Sequence, residues 1–139
     1  MADMVEFELV SPQRLVKSQE VDMVVVPCAE GDIGVLPGHT PLIATVRPGV
    51  VDIHEGGKVT ETLFVSGGFV EVTPERCTLL AEEASAVGDL KQDEAQARLD
   101  AAEKALSKVS SDLEKAHAEA EIKIAEAMLF AMGATPTAH

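Results

Sequence analysis

The sequence predicts an α+β fold, in which an antiparallel β-sandwich or flattened barrel is followed by an antiparallel two-helix hairpin. Short segments of alternating apolar and polar residues, separated by glycines and prolines, fill the chain as far as Ala81, which is typical of small all-β domains. Beyond Glu82 glycine and proline become rare, and Ala, Glu, Asp and Lys dominate. Apolar residues there recur every three or four positions, as on one face of a helix.

The composition limits the class of protein. The 139 residues are enough for one domain, or for one small domain with a helical appendage. The hydrophobic content of 46% supports a folded core, which must be built without Trp or Tyr. The net charge of −13 argues against binding to nucleic acid or anionic lipid. The chain begins without a basic and apolar leader and has no long apolar run, so we expect no targeting segment, no membrane span and no lipid insertion.

The first strands follow from side-chain alternation. Residues 5–9 alternate apolar and acidic side chains, which predicts a half-buried strand. The more polar residues 15–20 predict an edge strand after a Ser-Pro turn. Residues 21–26 are rich in valine and predict a strand that becomes buried on both sides, and Pro27 should end it.

Glycines and prolines concentrate in residues 31–50, around which the sandwich is organised. Glycine permits positive φ and proline fixes φ, so this segment predicts a defined path of tight turns. Within it, residues 42–46 predict a strand and residues 47–49 a type II turn. A glycine hairpin turn at 56–57 and a glycine corner at 67–68 separate the remaining predicted strands. These strands cover residues 50–54, 59–66, 69–72 and finally 77–81.

Two capping patterns and two apolar stripes predict the helices. Asp89 with Gln92, and Ser111 with Glu114, have the spacing of capping boxes. The first stripe consists of Ala95, Leu99, Ala102, Leu106 and Val109. The second consists of Leu113, Ala116, Ala120, Ile124, Ala127 and Ala131, widened by residues 128–130. Because alanine buries little apolar surface, we expect a marginally stable hairpin, followed by a frayed tail over residues 133–139.

No catalytic or metal-binding motif stands out. The histidines lack metal-ligand spacing and no phosphate-binding loop is present, so His54 and His117 are interpreted as ordinary polar residues. Cys28 and Cys77 are interpreted as buried reduced thiols, although a redox pair stays open. His39 follows a glycine in the rigid segment. Its ring either hydrogen-bonds the local backbone and locks the turn, or helps to form a contact with a partner protein.

Three stretches resemble the epsilon-subunit family of bacterial F-type ATP synthases. Residues 34–42 carry the pattern Gly-x-x-Pro-Gly-His-x-Pro-Leu, within a longer match over residues 30–42. Residues 47–50 carry Arg-Pro-Gly-Val, and residues 64–72 carry Phe-Val-Ser-Gly-Gly-Phe-Val-Glu-Val. The likeness extends from about residue 5 to residue 130, and it is more specific in the β part than in the helical part.

This resemblance implies a ten-stranded flattened β-sandwich over residues 1–87, a helical hairpin over 88–132 and a flexible tail over 133–139. It implies a non-catalytic rotor subunit of the central stalk, which binds the gamma subunit and the membrane c-ring and couples proton flow to ATP synthesis. Its place would be peripheral, on the cytoplasmic side of the bacterial inner membrane. The family's contact loop corresponds here to the candidate interface residues Glu30, Asp32, Ile33, Leu36 and His39.

The family's regulatory properties transfer less well. In some relatives basic residues of the second helix meet acidic loops of the catalytic head, reaching the alpha and beta subunits, but the second helix here is acidic. We therefore expect weak inhibition of ATP hydrolysis. Other relatives bind ATP through an Asp-x-x-Arg-Ala motif. The nearest match here starts at Asp93 and has Gln96 in place of the arginine, and the second helix lacks arginine. We expect no ATP binding and no other cofactor.

Two alternatives use the same elements differently. The chain could be a β-sandwich interaction module whose helical pair recruits an adaptor protein. It could instead be a small-molecule-binding or cupin-like barrel, which would need several inward-facing polar ligands, although His54 is the only histidine on a predicted strand. The family motif of residues 34–42 favours the stalk subunit over both.

Overall fold

The computed structural model describes residues 4–133. The predicted α+β order is confirmed, with all strands preceding the helices. The chain divides between Ala86 and Val87 into a β unit and a helical unit, next to the boundary predicted after residue 87. Most of the predicted frayed tail, residues 134–139, lies outside the described residues.

The described residues form ten strands, in agreement with the predicted ten-stranded sandwich. In chain order these are β1 Val5–Val10, β2 Leu15–Val21, β3 Met23–Cys28, β4 Gly31–Val35, β5 Leu42–Val46, β6 Gly49–Glu55, β7 Lys58–Val65, β8 Gly68–Val72, β9 Arg76–Ala81 and β10 Ala84–Ala86. They follow one another across the sheet in the order β10-β7-β6-β3-β5-β8-β9-β1-β2, and β4 pairs with β3. The result is a nearly closed sandwich. All described pairings are antiparallel except the parallel pairing of β1 with β9.

The core of the β unit follows the predicted alternation. On β1 the side chains of Val5, Phe7 and Leu9 are fully buried, and the residues between them are partly exposed. Every strand from β1 to β9 contributes at least one buried side chain. This core is aliphatic apart from Phe7, Cys28 and Cys77, and Phe64 is buried outside the main cluster. Burial of each such side chain contributes roughly 1.5–3 kcal/mol.

The prediction that Pro27 ends its strand is wrong, since β3 continues to Cys28 and Pro27 is buried. The physical reason lies in the strand partners. β3 pairs with β6 only as far as Val25 and with β5 only at Cys28. Pro27 lies between these two ladders, where its missing N–H costs no ladder hydrogen bond. Its carbonyl oxygen accepts a hydrogen bond from the Arg47 N–H at 2.9 Å.

Two strands were not predicted as such. β4 lies inside the segment predicted to form tight turns, where Gly31 and Gly34 weaken the strand signal. The prediction that residues 77–81 form the last strand is also wrong. β10 follows at Ala84–Ala86 and pairs with β7. Three residues, two of them alanine, carry too little β propensity to be recognised.

The helical unit starts with a 3-10 turn at Val87–Asp89, followed by α1 Gln92–Leu106 and α2 Asp112–Ala131. The predicted cap by Asp89 is wrong, because the N-cap of α1 is Lys91, without a side-chain cap. The cap of α2 is confirmed: the Ser111 hydroxyl accepts the Glu114 N–H at 3.1 Å. The Glu114 carboxylate accepts from the Ser110 N–H, one residue before the expected donor. No helix in the described part of the chain is long and apolar enough to cross a membrane.

The hairpin seam differs from the prediction on α2. On α1, Ala95, Leu99 and Ala102 are buried as expected. On α2 the buried residues are Ala118, Ala125 and Leu129, whereas Leu113 of the predicted stripe is 82% exposed. The predicted stripe for α2 is therefore wrong in the first half of the helix, whereas the burial of Leu129, in its widened end, is confirmed. The helix carries alanines on several faces, so the apolar pattern alone does not select the packed face.

Candidate protein-interaction surface

The predicted interface residues lie along one stretch of the β unit, but in different environments. Glu30 is exposed in the two-residue turn between β3 and β4. Asp32 and Ile33 follow on β4, where Asp32 is exposed and Ile33 packs against the core. Leu36, 53% exposed, and the partly exposed His39 lie in the loop between β4 and β5.

An ion pair joins this stretch to the corner between β5 and β6. The Arg47 Nη2 atom lies 2.6 Å from Asp32 Oδ1. The Arg47 Nη1 atom also donates to the carbonyl oxygen of Cys28 at 2.5 Å. One guanidinium therefore contacts β4 and the end of β3, and it orients the turn that carries Glu30.

Local hydrogen bonds shape the loop that carries His39. Gly38 has a φ of +83°, a conformation that favours glycine, and its N–H donates to the carbonyl oxygen of Pro74 at 2.8 Å. The His39 N–H donates to the Leu36 carbonyl oxygen at 3.1 Å, and the His39 Nδ1 atom lies 2.6 Å from the Thr40 carbonyl oxygen. The ring therefore does make the local backbone contact that was one of the two interpretations.

A second surface was missed by the sequence analysis. Outward-facing residues of five neighbouring strands form one row, because Thr45 pairs with Phe69, Phe69 with Leu80, Leu80 with Val10, and Val10 with Leu15. Phe69 is 58% and Leu80 52% exposed. Ile43, two residues before Thr45, extends this surface and is 73% exposed. We call residues 10, 15, 43, 45, 69 and 80 the outer apolar row.

The same outer face becomes acidic beside this row. Ile43 pairs with Glu71, Glu71 with Thr78, and Thr78 with Glu8. Two residues before Glu8 and Thr78, the Arg76 Nη2 atom lies 3.1 Å from Glu6 Oε1. The outer face thus combines an apolar strip with a flanking acidic strip. Exposed apolar residues side by side on a sheet mark a protein contact more often than isolated ones do.

The described titratable groups show neither a metal-ligand cluster nor an activated thiol. Among residues 4–133, no three His, Cys, Asp or Glu side chains are grouped as ligands of a metal ion would be. Burial raises the pKa of the Cys77 thiol to about 12. Burial also raises the pKa of Cys28, against the opposing effect of the Arg47 guanidinium. Neither thiol is therefore activated as a nucleophile.

One ion pair crosses the hairpin. The Arg98 Nε atom lies 3.0 Å from Glu121 Oε1, and Arg98 Nη2 lies 3.3 Å from Glu121 Oε2. The Gln96 side chain, at the position of the family arginine, donates to Asp100 at 2.9 Å. Both side chains are thus engaged within the hairpin.

The nearly closed β-sandwich has exposed apolar side chains in a row and a backbone-locked loop, and these features indicate the class of proteins that bind other proteins in an assembly. Comparison with known proteins identifies the family. Residues 4–87 match the family described as the ATP synthase delta/epsilon chain β-sandwich domain. The chain belongs to this family, whose epsilon chains are non-catalytic stalk subunits of the ATP synthase.

Two bacterial relatives are similar over nearly the whole chain. The ATP synthase epsilon chain of Paramagnetospirillum magneticum is 57% identical over 132 residues, which cover 95% of this chain and 99% of the relative. The epsilon chain of Rhodospirillum rubrum is 52% identical over 131 residues, which cover 94% and 98%. The likeness therefore includes the helical unit, beyond the β-sandwich that the family model covers.

A solved structure supports the fold. A chain in the cryo-EM structure of the Euglena gracilis mitochondrial ATP synthase, which contains OSCP, F1 and the c-ring, superposes with a TM-score of 0.79. The match covers 95% of this chain and 83% of that chain at 21% identity. At this identity the similarity establishes the shared fold alone.

Proposed function

We propose that this chain is a rotor subunit that binds the gamma subunit and the c-ring and couples proton flow to ATP synthesis. It would act peripherally, on the cytoplasmic side of the bacterial inner membrane. The single observation that carries the proposal is the outer apolar row, which is too exposed to serve the core of this chain. Apolar surface of this kind suits a permanent subunit interface.

The outer apolar row is assigned to the gamma subunit. A rotor must transmit torque without slipping, which favours a large interface that stays closed throughout rotation. Phe69 and Leu80 pair directly across strands and form the centre of the row. A few well-packed side chains near the centre of an interface contribute most of its binding energy.

The stretch from Glu30 to His39 is assigned to the c-ring. Its backbone is held by the ion pair of Arg47 with Asp32 and by the hydrogen bond from Gly38 to Pro74. A loop held in this way can bear load without first becoming ordered, so less conformational entropy is lost on contact. Leu36 offers an apolar contact at its centre.

The hairpin is proposed to inhibit ATP hydrolysis only weakly. α2 carries Lys115 and Lys123 as its only basic residues apart from histidine. Four glutamates of the same helix oppose them: Glu114, Glu119, Glu121 and Glu126. Attraction to an acidic loop of a catalytic subunit would be poor, because the net sign of the helix is unfavourable.

The test uses F1Fo depleted of its epsilon subunit and the full-length chain added back. Replacing both Phe69 and Leu80 with Ser should weaken rebinding at least about tenfold, because two anchor side chains are lost. Val59→Ser is the matched control, since Val59 is similarly exposed on β7, outside the row. Rebinding of the double variant with unchanged affinity would contradict the proposal.

An interaction module for an unrelated adaptor is the second candidate. The observation that favours it is the exposed apolar groove at the closed end of the hairpin, lined by Val109, Leu113 and His117 among others. If the wild-type chain fails to rebind epsilon-depleted F1Fo, this second function becomes the better explanation.

A further inference from the structure

Strand β5 is paired on one side along its whole length but on the other side only at its end. All five residues from Leu42 to Val46 pair with β8. Towards β3 the described pairing is limited to Val46 with Cys28, supplemented by the hydrogen bond from the Ala29 N–H to the Thr45 carbonyl oxygen at 2.8 Å. The first three residues of β5 therefore have no strand partner on that side within residues 4–133.

The direction of the Ile43 backbone groups follows from strand geometry. In a strand, the N–H and C=O of one residue point to the same side, and those of the next residue point to the other. Because the Thr45 carbonyl points towards β3, the N–H and C=O of Ile43 also point to this side. These groups face the open edge of β5. An unpaired edge of this kind is a template for an added strand.

A groove of about 530 Å³ adjoins this edge. It is lined by residues 28–33 on one wall and residues 42–45 on the other. Ile33, Leu42 and Ile43 supply apolar surface, and Glu30 and Asp32 supply carboxylates. The Arg47 guanidinium already neutralises Asp32, whereas Glu30 forms no described ion pair. The groove therefore has a net negative charge, centred on Glu30.

We propose that this groove receives an extended segment of a partner protein, which adds as a strand to the open edge of β5 and places a basic side chain opposite Glu30. The inference rests on the proposed function, since the partner would be the gamma subunit, whose proposed contact surface includes Ile43 and would extend here to Glu30, at the border of the proposed c-ring contact. Backbone hydrogen bonds to Ile43 supply the pairing, and the apolar wall receives alternate side chains of the segment. A second copy of this chain is disfavoured, because the net charge is −13.

Two variants of one residue separate backbone pairing from side-chain contact. Ile43→Ala removes the side chain but keeps the N–H, whereas Ile43→Pro removes both. Proline is tolerated at an edge position whose N–H faces away from the sheet, so both variants should fold. We expect Ile43→Pro to bind epsilon-depleted F1Fo about fivefold more weakly than Ile43→Ala, as the loss of one net hydrogen bond predicts. Equal affinities of the two variants would overturn strand addition.

Hydrogen exchange keeps the proposal testable if Ile43→Pro does not fold. In the assembled wild-type complex, the Ile43 amide should exchange at least about tenfold more slowly than in the free chain, because pairing protects it. An unchanged exchange rate would refute the added strand. It would leave the proposed function intact, since that function depends on the Phe69 and Leu80 variants instead.

The charge of the occupant is tested separately. Glu30→Gln should weaken binding to epsilon-depleted F1Fo about threefold at low salt, with a smaller effect at high salt. Glu75→Gln is the control, because Glu75 is exposed outside the groove. Equal effects of the two variants would contradict a basic occupant. Dimerisation of the free chain that is lost in Ile43→Pro would show that a second copy fills the groove instead.

Discussion

Among the described glycines, Gly68 has the least room for a side chain. A methyl group added there would lie 1.9 Å from the Leu80 carbonyl oxygen, and the φ of Gly68 is +146°. The Gly67-Gly68 pair was predicted as a bulge or corner, and the close approach of β8 to β9 explains why glycine is needed at the second position.

Gly68→Ala should therefore lower the free energy of unfolding by more than about 3 kcal/mol, or prevent folding altogether. Gly88→Ala is the control, because Gly88 has open space around its Cα and no positive φ, so the change should stay within about 0.5 kcal/mol. Urea unfolding measures both variants. A Gly68→Ala protein as stable as the Gly88→Ala protein would refute the close contact.

The two cysteines should resist modification while the chain is folded. Cys28 and Cys77 are buried, and burial raises the pKa of both thiols above the ordinary value. We expect neither to react with iodoacetamide at pH 8 within an hour, and both to react after unfolding in guanidinium chloride. Rapid labelling of Cys77 in the folded chain would contradict its burial.

At the scale of single elements, α2 depends on its N-terminal cap. Ser111→Ala should destabilise the helical unit by about 1 kcal/mol, because the Glu114 N–H loses its acceptor. Ser111→Asp should keep the stability, since aspartate caps equally well. Helical circular dichroism during urea unfolding compares the variants, and equal loss in both would show that the hydroxyl does not act as a cap.

The same cap has a pH dependence with a defined sign. Hydrogen bonds from the Ser110 N–H and hydroxyl lower the pKa of Glu114 below its ordinary value of 4.5. The contribution of this carboxylate is therefore fully present above pH 4.5 and is lost as the pH falls through the lower folded-state pKa. Glu114→Gln should remove this part of the acid dependence. An unchanged acid profile of the helical signal would contradict it.

The ion pair between Arg98 and Glu121 stabilises the weak helical seam. Glu121→Gln should lower the stability of the helical unit by about 0.5 kcal/mol, because the pair is partly exposed and screened. Glu119→Gln, an exposed position on the same helix, serves as the control.

The ion pair with Glu121 also engages Arg98, the arginine nearest to the family's nucleotide motif. We therefore expect isothermal titration calorimetry to detect no ATP binding.

The elements show where sequence patterns were informative. Alternation in residues 5–9 predicted β1 correctly, because one face of that strand enters the core and the other does not. The seam of α2 was not predictable, because Ala118 lies on a different face from Ala116 and Ala120, and alanines on the two faces differ little in burial energy. Pro27 does not end its strand, because the change of partner strand at that point depends on the whole sheet.

At the scale of the whole molecule, one part of the candidate interaction surface could be predicted from the sequence and the other part could not. The segment 30–39 could be recognised from its motif, and its residues stay close together because they are local in sequence. The outer apolar row could not be recognised. Val10, Phe69 and Leu80 are brought side by side only by the register of β1, β8 and β9. Consecutive apolar residues at Leu79 and Leu80, with only Leu79 buried, were the available signal.

The contribution of the hairpin is a prediction about the assembly. A chain ending at Gly88 should restore proton pumping to epsilon-depleted F1Fo as well as the full chain does, because the β unit has its own core. The rate of ATP hydrolysis should differ by less than about twofold between the two forms, given the unfavourable charge of α2. Strong inhibition by the full chain alone would refute the electrostatic argument.

The parallel pairing of β1 with β9 has a consequence for biosynthesis. Arg76 pairs with Glu6 but follows it by 70 residues, so β9 is synthesised only some time after β1. At translation rates of roughly 5–20 residues per second, the interval between the synthesis of Glu6 and that of Arg76 is roughly 4–14 s. During this interval the edge of β1 that later pairs with β9 is unprotected, whereas the helical hairpin at the other end of the chain needs only local contacts. Nascent-chain aggregation should therefore be sensitive to the length of this interval.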